Sequence, residues 1–170
     1  MKITVDMEHE TYIGNEFLSD HNISHINFVN GGCVTKIYDD FLQRCEYLRH
    51  IDLTGLENVT LIGDNFLYAC ESLEMIDFSG LEGVTLIGSY FLERCTSLKS
   101  IDLNPLKNLT YIEDRFLYGC TSLKSIDLNP LKNVNYIGDH FLRGCESLKD
   151  ITWPDTEVWN KQRKIYEDDR

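Results

Sequence analysis

Long apolar segments and positive charge are both scarce in this sequence. No stretch approaches the ~20 apolar residues that a membrane-spanning helix needs, and residues 1–6 lack the apolar core of a signal peptide. Lys and Arg number 16 against 28 Asp and Glu, so the formal net charge is −12. A surface of this sign repels nucleic-acid phosphates and anionic membranes. We therefore expect a soluble, intracellular protein that binds neither nucleic acid nor membrane and whose protein partner carries a basic patch.

Proline and recognisable catalytic motifs are scarce as well. With three prolines and no low-complexity segment, the 170 residues are typical of one folded domain with its own core. The sequence contains no Gly-rich phosphate loop, no G-x-S-x-G motif and no H-E-x-x-H motif. We expect no enzymatic activity and no cofactor.

The sequence is instead organised by a 25-residue repeat. Five cysteines recur at this interval, each in the phrase Phe-Leu-x-x-Cys: Cys45, Cys70, Cys95, Cys120 and Cys145. Full copies occupy residues 41–65, 66–90, 91–115 and 116–140, a degenerate copy occupies 17–40, and 1–16 and 141–153 are partial copies. A fixed period of this length indicates a solenoid in which stacked copies bury a shared core. We predict a single solenoid over residues 1–170, capped by 1–16 and 154–170.

Each copy contains the patterns of one short helix and one short strand. Apolar residues at offsets of zero, one, four and seven from Phe66 would share one side of a helix, and Ile76 and Phe78 alternate as in a strand. Residue types that favour helix N-caps stand two positions before each repeat's Phe: Asn15, Asp39, Asp64, Ser89, Asp114 and Asp139.

Stacking these copies predicts an α/β repeat solenoid of the right-handed leucine-rich-repeat type. We expect one parallel sheet of about seven short strands, with short helices opposite it. The strands are expected near residues 3–5, 26–28, 51–53, 76–78, 101–103, 126–128 and 151–153. Residues 156–167 are predicted to form a capping helix, with Trp153 and Trp159 closing the end of the core.

The phrase I-G-D-x-F-L-x-x-C-x-x-L, as at residues 62–73, resembles the BspA-like (Treponema-type) leucine-rich repeats over about residues 10–153. The resemblance implies a leucine-rich-repeat fold and a role like those of that family's surface adhesins and recognition proteins. The copies here are longer than the family's common unit, with an additional leucine at Leu56, Leu81, Leu106 and Leu131.

The cysteine column is interpreted as a set of buried free thiols. Each Cys shares a face with Phe and Leu, where a free Cys behaves as a small apolar residue. Stacked neighbours would lie within the Cα range of a disulfide, so disulfides or a metal site are the alternatives. The spacing matches no two-and-two zinc motif, and we predict no metal.

A column of aspartates is the candidate interaction site. Asp52, Asp77, Asp102 and Asp127 lie between inward-facing strand residues and are expected on the exposed face of the sheet. Their mutual repulsion should raise some of their pKa values or attract cations, although the Lys99 and Lys124 column could relieve it. The predicted partner-binding residues are His50, Asp52, Asp77, Lys99, Asp102, Asn104, Lys124, Asp127 and Asn129. The alternative is a solvated face that serves solubility.

A second column, beside the Val-x-x-Ile segment, is a candidate lateral contact. It contains Leu61, Leu86, Tyr111 and Tyr136, continued by Tyr12. A contiguous exposed apolar stripe can mark an interface, or it can simply shield the solenoid wall. His25 and His50 occupy the same column without a clear third ligand, and we interpret them as ordinary surface histidines.

The leading hypothesis for the function is a non-enzymatic protein-interaction module. The alternatives are a self-assembling structural component, viral or cytoskeletal, or an adhesin-like recognition protein.

Overall fold

The chain winds as a stack of parallel coils, in which paired residues of successive coils are 23 to 25 positions apart in the sequence. The computed structural model describes residues 1–169. One side of the coils, which we call the wide face, carries β1 (Lys2–Asp6), β3 (His25–Val29), β5 (His50–Asp52), β7 (Met75–Asp77), β10 (Ser125–Asp127) and β12 (Asp150–Thr152). A second side, the narrow face, carries the two-residue strands β2 (Tyr12–Ile13), β4 (Lys36–Ile37), β6 (Leu61–Ile62), β8 (Leu86–Ile87), β9 (Tyr111–Ile112) and β11 (Tyr136–Ile137).

The strands pair in a register of one repeat, so equivalent residues of successive coils lie side by side. Ile26 pairs with Ile51 and Ile51 with Ile76 on the wide face, and Ile62 pairs with Ile87 on the narrow face. The inward residues of both faces meet in one apolar core that runs the length of the stack. The repeat period therefore becomes a set of straight side-chain columns, as predicted.

The prediction of one seven-stranded sheet is only partly correct. Across residues 1–169 the wide face has six strands, in a four-stranded sheet β1-β3-β5-β7 and a two-stranded sheet β10-β12, while the narrow face forms a six-stranded sheet of its own. The predicted strand at 101–103 does not form. The backbone that follows also changes at this point: Gly55 and Gly80 come after β5 and β7, whereas 3-10 helices at Asn104–Leu106 and Asn129–Leu131 come after residues 101–103 and after β10.

The prediction of a short helix in each copy is wrong. The segments 41–45, 66–70, 91–95, 116–120 and 141–145, which we call the turn face, are consecutive turns. Their second residue, such as Leu67 with φ +56°, is left-handed. Their N–H groups bond to neighbouring coils: Leu67 donates to the Phe41 carbonyl (2.9 Å) and Ala69 to the Glu93 carbonyl (2.8 Å). The reason is spatial, because a helix about 10 Å wide cannot stack at the ~4.8 Å spacing that two paired faces impose.

Phenylalanine rings of the turn face form a continuous stack through the core. Phe17, Phe41, Phe66, Phe91, Phe116 and Phe141 follow one another with centroid distances of 5.0–5.7 Å and interplanar angles of 7–8°. The predicted C-terminal helix is confirmed as α1 (Glu157–Asp168). Its Trp159 packs edge-on against Phe141, at 5.6 Å, and its indole N–H donates to the Leu131 carbonyl (3.0 Å). Within residues 1–169 no helix is long and apolar enough to span a membrane.

The residues expected to cap helices instead link one coil to the next. Asp64 Oδ1 accepts the N–H of Ser89 (2.8 Å), and Asp114 Oδ1 accepts the N–H of Asp139 (2.8 Å). The accepting carboxylate and the backbone next to it leave little room for a side chain on the next coil: a Cβ at Gly88 would overlap Asp64 Oδ1 and also backbone atoms of Gly63 and Asp64. In the four full copies this position holds Gly63, Gly88, Glu113 and Gly138, and Glu113 follows a coil in which Ser89, with a shorter side chain, replaces the Asp. Gly and Asp are therefore a matched pair in successive coils.

This pairing predicts that Gly88→Ala destabilises the protein by about 2 kcal/mol, and that Asp64→Ser removes part of that cost. Measured by urea unfolding, the double variant should be more stable than the sum of the single effects by about 1 kcal/mol or more. Gly32→Ala is the matched control, because an added Cβ there meets nothing within 4 Å. Strict additivity of the two changes would contradict the pairing.

Candidate interaction surface

The aspartate column of the wide face is held in place by the backbone that follows it. In all four members Oδ1 accepts the N–H of the residue two positions later, at 2.9–3.0 Å; the pairs are Asp52 with Thr54, Asp77 with Ser79, Asp102 with Asn104 and Asp127 with Asn129. Side chains add to this, since the Thr54 hydroxyl donates to Asp52 Oδ1 and the Asn104 amide to Asp102 Oδ1, each at 2.7 Å. Each carboxylate thus closes an Asx turn at the end of a strand or strand-like segment.

These four aspartates form no ion pair within residues 1–169. The backbone hydrogen bonds to them all end on Oδ1. Asp77, Asp102 and Asp127 are exposed and Asp52 is half-buried. Asp52 and Asp77 are directly paired in register, which places neighbouring carboxylates about 4.8 Å apart. The result is a row of carboxylates, each held by the backbone through Oδ1.

The expectation that repulsion raises aspartate pKa values is wrong for Asp77, whose pKa is lowered. The main cause is the hydrogen bond from the Ser79 N–H, followed by one from the Ser79 side chain, and the electrostatic interaction with His50 acts in the same direction. These hydrogen bonds to the ionised form outweigh burial, which alone acts in the opposite direction. This carboxylate is therefore negatively charged at neutral pH.

The lysine column does not neutralise the aspartates. Lys99 Nζ lies 3.7 Å from Glu74 Oε2, an exposed pair, and in the described part of the chain Lys124 forms no ion pair.

His50 lies on the same face, with its ring centroid 6.2 Å from that of His25. Partial burial, followed by the charges of Lys2 and His50, lowers the pKa of His25. No group of three metal-ligating side chains occurs within residues 1–169.

The lateral column lies on the narrow face. Tyr111 and Tyr136 stack with centroids 4.3 Å apart and nearly parallel rings, and Leu61 and Leu86 are half-buried beside each other. The strand register also places Lys36 in this column, between Tyr12 and Leu61. The sequence analysis did not include this lysine. The charged side chain interrupts the apolar stripe, so Leu61, Leu86, Tyr111 and Tyr136 form its continuous part.

The cysteine column is a structural ladder, and Cys45, Cys70, Cys95 and Cys120 form no disulfide, as predicted. Each Sγ donates to a leucine carbonyl of the preceding coil at 3.1–3.3 Å, as Cys70 does to Leu42 and Cys95 to Leu67. Burial raises the pKa of Cys45 to about 11 and raises those of Cys70, Cys95 and Cys120 further. These thiols are therefore protonated and unreactive at neutral pH.

A cluster on the turn face was missed by the sequence analysis. Glu93 is only 4% exposed, and its Oε1 lies 3.7 Å from Arg115. Arg115 also lies over the rings of Tyr90 and Tyr118, 5.5 and 5.2 Å from their centroids. Burial raises the pKa of Glu93 although Arg115 opposes that shift. One feature of the sequence could have indicated this cluster: the residue before the repeat's Phe differs between copies. It is Asn65, Tyr90, Arg115 and His140 in successive coils.

Two paired faces, a shared core and one repeat per coil define a parallel β-solenoid of the leucine-rich-repeat class. The family model described as BspA type leucine rich repeat region, with six copies, matches residues 2–85 and 36–162. The chain belongs to this BspA-type leucine-rich-repeat family, as the sequence resemblance indicated. Leucine-rich repeats of this kind generally mediate protein–protein interaction.

Comparison with solved structures supports the same fold. The crystal structure of the T. pallidum leucine-rich-repeat protein superposes with a TM-score of 0.75 at 16% sequence identity. The match covers 96% of this chain and 82% of that chain. At this identity the likeness concerns the fold. A comparison with curated protein sequences gives no match.

Proposed function

We propose that the protein is a non-enzymatic interaction module that binds a basic segment of a protein partner along the wide face. The observation that carries this proposal is the row of four aspartates whose Oδ1 is fixed by the backbone and which form no ion pair within residues 1–169. Carboxylates that are already oriented lose little freedom when a cation binds, and charge-assisted hydrogen bonds are the strong ones. The net charge of −12 favours the encounter with a basic partner.

The geometry favours an extended partner segment. Neighbouring acceptors are spaced about 4.8 Å apart along the solenoid axis, whereas alternate side chains on one face of an extended chain are about 6.6 Å apart. Long, flexible Lys and Arg side chains can bridge this difference. His50 at one end, and Asn104 and Asn129 beside the later aspartates, supply further polar contacts. Lys99 and Lys124 stand three residues before Asp102 and Asp127, where they would select against lysine at the partner's nearest positions.

The turn-face cluster supports a partner site less well. Its charged members already contact one another, since Arg115 lies between two tyrosine rings and beside Glu93. A partner would have to displace these contacts before it could use them. The aspartates of the wide face need no such rearrangement.

The test is selection of binders from a random-peptide display library, followed by titration of the recovered peptides. We expect basic peptides whose affinity falls about tenfold or more for the triple variant Asp77→Asn, Asp102→Asn, Asp127→Asn. Asparagine retains Oδ1 and therefore the Asx turn, so the variant removes charge while the fold is kept.

The matched control is the triple variant Asp39→Asn, Asp64→Asn, Asp114→Asn. It removes the same three charges from another column, in which Asn15 already makes the equivalent bond to the Asp39 N–H (3.3 Å). The control should retain peptide affinity. An equal loss in both variants would mean that only net charge matters, and an unchanged affinity in the first would place the site elsewhere.

A further inference from the structure

The two ends of the solenoid differ in how the core is closed. At the C-terminal end the phenylalanine stack finishes against Trp159, which is fully buried and also contacts Trp153. At the other end the stack finishes at Phe17, which is half-buried, and within residues 1–169 no ring packs on its outer side. Ile3, Val5 and Leu18 beside it are also only partly covered. This end therefore presents apolar surface and an unpaired strand.

The unpaired strand is β1, which within the described chain pairs only with β3. The Met1 carbonyl accepts the N–H of Ser24 (2.7 Å), and the Met7 N–H donates to the Val29 carbonyl (2.9 Å). Backbone groups of odd-numbered residues thus face β3. The N–H and C=O groups of Lys2, Thr4 and Asp6 consequently point to the open edge, because backbone direction alternates along a strand.

The sequence of this edge is complementary to itself when it is read in the opposite direction. An antiparallel pairing centred on Thr4 places Lys2 opposite Asp6 of a second copy and Ile3 opposite Val5. Residues 2, 4 and 6 then form the hydrogen-bonded pairs and residues 3 and 5 the close, non-hydrogen-bonded pairs. This parity agrees with the groups that β1 leaves free. Opposite charges meet on the outer face, and the apolar pair continues the core.

We propose that two copies of the chain join through their β1 edges into a symmetric dimer with one continuous wide face. The pairing forms ~6 backbone hydrogen bonds and covers the half-buried residues around Phe17. The contact is isologous, so it closes after two copies. At the opposite end Trp159 of α1 closes the phenylalanine stack, so the apolar surface that surrounds Phe17 has no counterpart on the last phenylalanine, Phe141. The dimer requires no basic partner and is independent of the function proposed for the aspartate column.

The test is the molar mass in solution, measured by light scattering across a concentration series. The wild-type chain should reach twice its mass of 19.8 kDa. Thr4→Pro should remain at the mass of one chain, because proline removes an N–H at the open edge that β3 does not use. Thr4→Val is the matched control: it loses the same hydroxyl bond to Asn27 (2.8 Å) but keeps the N–H, and it should remain dimeric.

A charge exchange tests the register separately. Lys2→Glu should weaken the dimer, because it places two acidic side chains opposite each other, and the added change Asp6→Lys should strengthen it again. Thermal unfolding at low protein concentration checks that each variant folds. A wild-type chain that stays monomeric at its highest soluble concentration, or a Thr4→Pro variant that dimerises as well as Thr4→Val, would overturn the proposal.

Discussion

Raising the pH above about 9 is expected to destabilise the protein steeply, because its buried thiols cannot ionise until it unfolds. In the unfolded chain a cysteine titrates near its ordinary pKa of 9.0, whereas burial raises the pKa of Cys45 to about 11 and those of Cys70, Cys95 and Cys120 further. The stability that these neutral thiols contribute is complete below the unfolded-state pKa. It is lost as the pH rises from that value through the folded-state pKa.

The expected loss is roughly 1 to 1.5 kcal/mol per pH unit for each of these thiols above about pH 9. Against a typical total of about 5–15 kcal/mol, four such thiols remove most of the stability within two pH units. Urea unfolding at a series of pH values from neutral to alkaline measures the slope. Tyrosines and lysines also titrate in this range, so the comparison between variants carries the conclusion.

Cys95→Ala should reduce the alkaline slope by the share of one thiol, whereas Cys33→Ser should leave it unchanged because Cys33 is exposed. Thiol titration of the native protein should detect Cys33 alone and, after unfolding, all six cysteines. A slope that is the same for Cys95→Ala and the wild type would show that Cys95 ionises without unfolding.

Phe91→Ala is expected to lower the free energy of unfolding by about 3–5 kcal/mol. The Phe91 ring is fully buried and lies between Phe66 and Phe116, with centroids 5.2 Å away on each side. Its removal leaves a cavity in the middle of the stack, and the hydrogen-bonded coils on either side cannot move together to fill it. Urea or thermal unfolding monitored by circular dichroism gives the change in stability.

The matched comparison replaces phenylalanine with leucine at two buried positions that touch each other. Phe78 packs against Phe91 at 5.8 Å, but the positions equivalent to Phe78 hold Leu53, Leu103 and Leu128 in other full copies. Phe78→Leu should therefore cost less than about 1.5 kcal/mol, while Phe91→Leu should cost more because it interrupts the ring stack. Equal costs would mean that the stack contributes only buried volume.

The stacking of columns could be predicted from the sequence, whereas the path of each coil could not. A 25-residue period places equivalent residues side by side whatever the local conformation, so the burial of Phe91, Cys95 and Ile112 follows from the repeat alone. The segment from Phe66 to Cys70 is too short for periodicity to separate one helical turn from consecutive turns. The distance between coils decides between the two conformations. Because strands pair on two faces at about 4.8 Å, the third face must stack at the same distance, which consecutive turns allow and a helix does not.

For the candidate site, the sequence predicted the positions of the side chains better than their hydrogen bonds and pKa values. The position of Asp77 on an exposed face follows from strand alternation. Its lowered pKa does not follow from the spacing of the carboxylates, because the main cause is the hydrogen bond from the Ser79 N–H. An Asp followed two positions later by Thr, Ser or Asn is itself an Asx-turn signal. Glu93 and Arg115 could not be paired from the sequence, because they occupy different columns of neighbouring coils and only the fold brings them together.

The most direct measurement is sulfur-anomalous diffraction from a crystal of the protein. The Sγ atoms of Cys45, Cys70, Cys95, Cys120 and Cys145 should appear as one row of separate peaks, with neighbours about 4.8 Å apart and the Cys33 peak away from the row. Scattered peaks would show that successive coils do not stack in register, and neighbours at disulfide distance would contradict the free-thiol assignment.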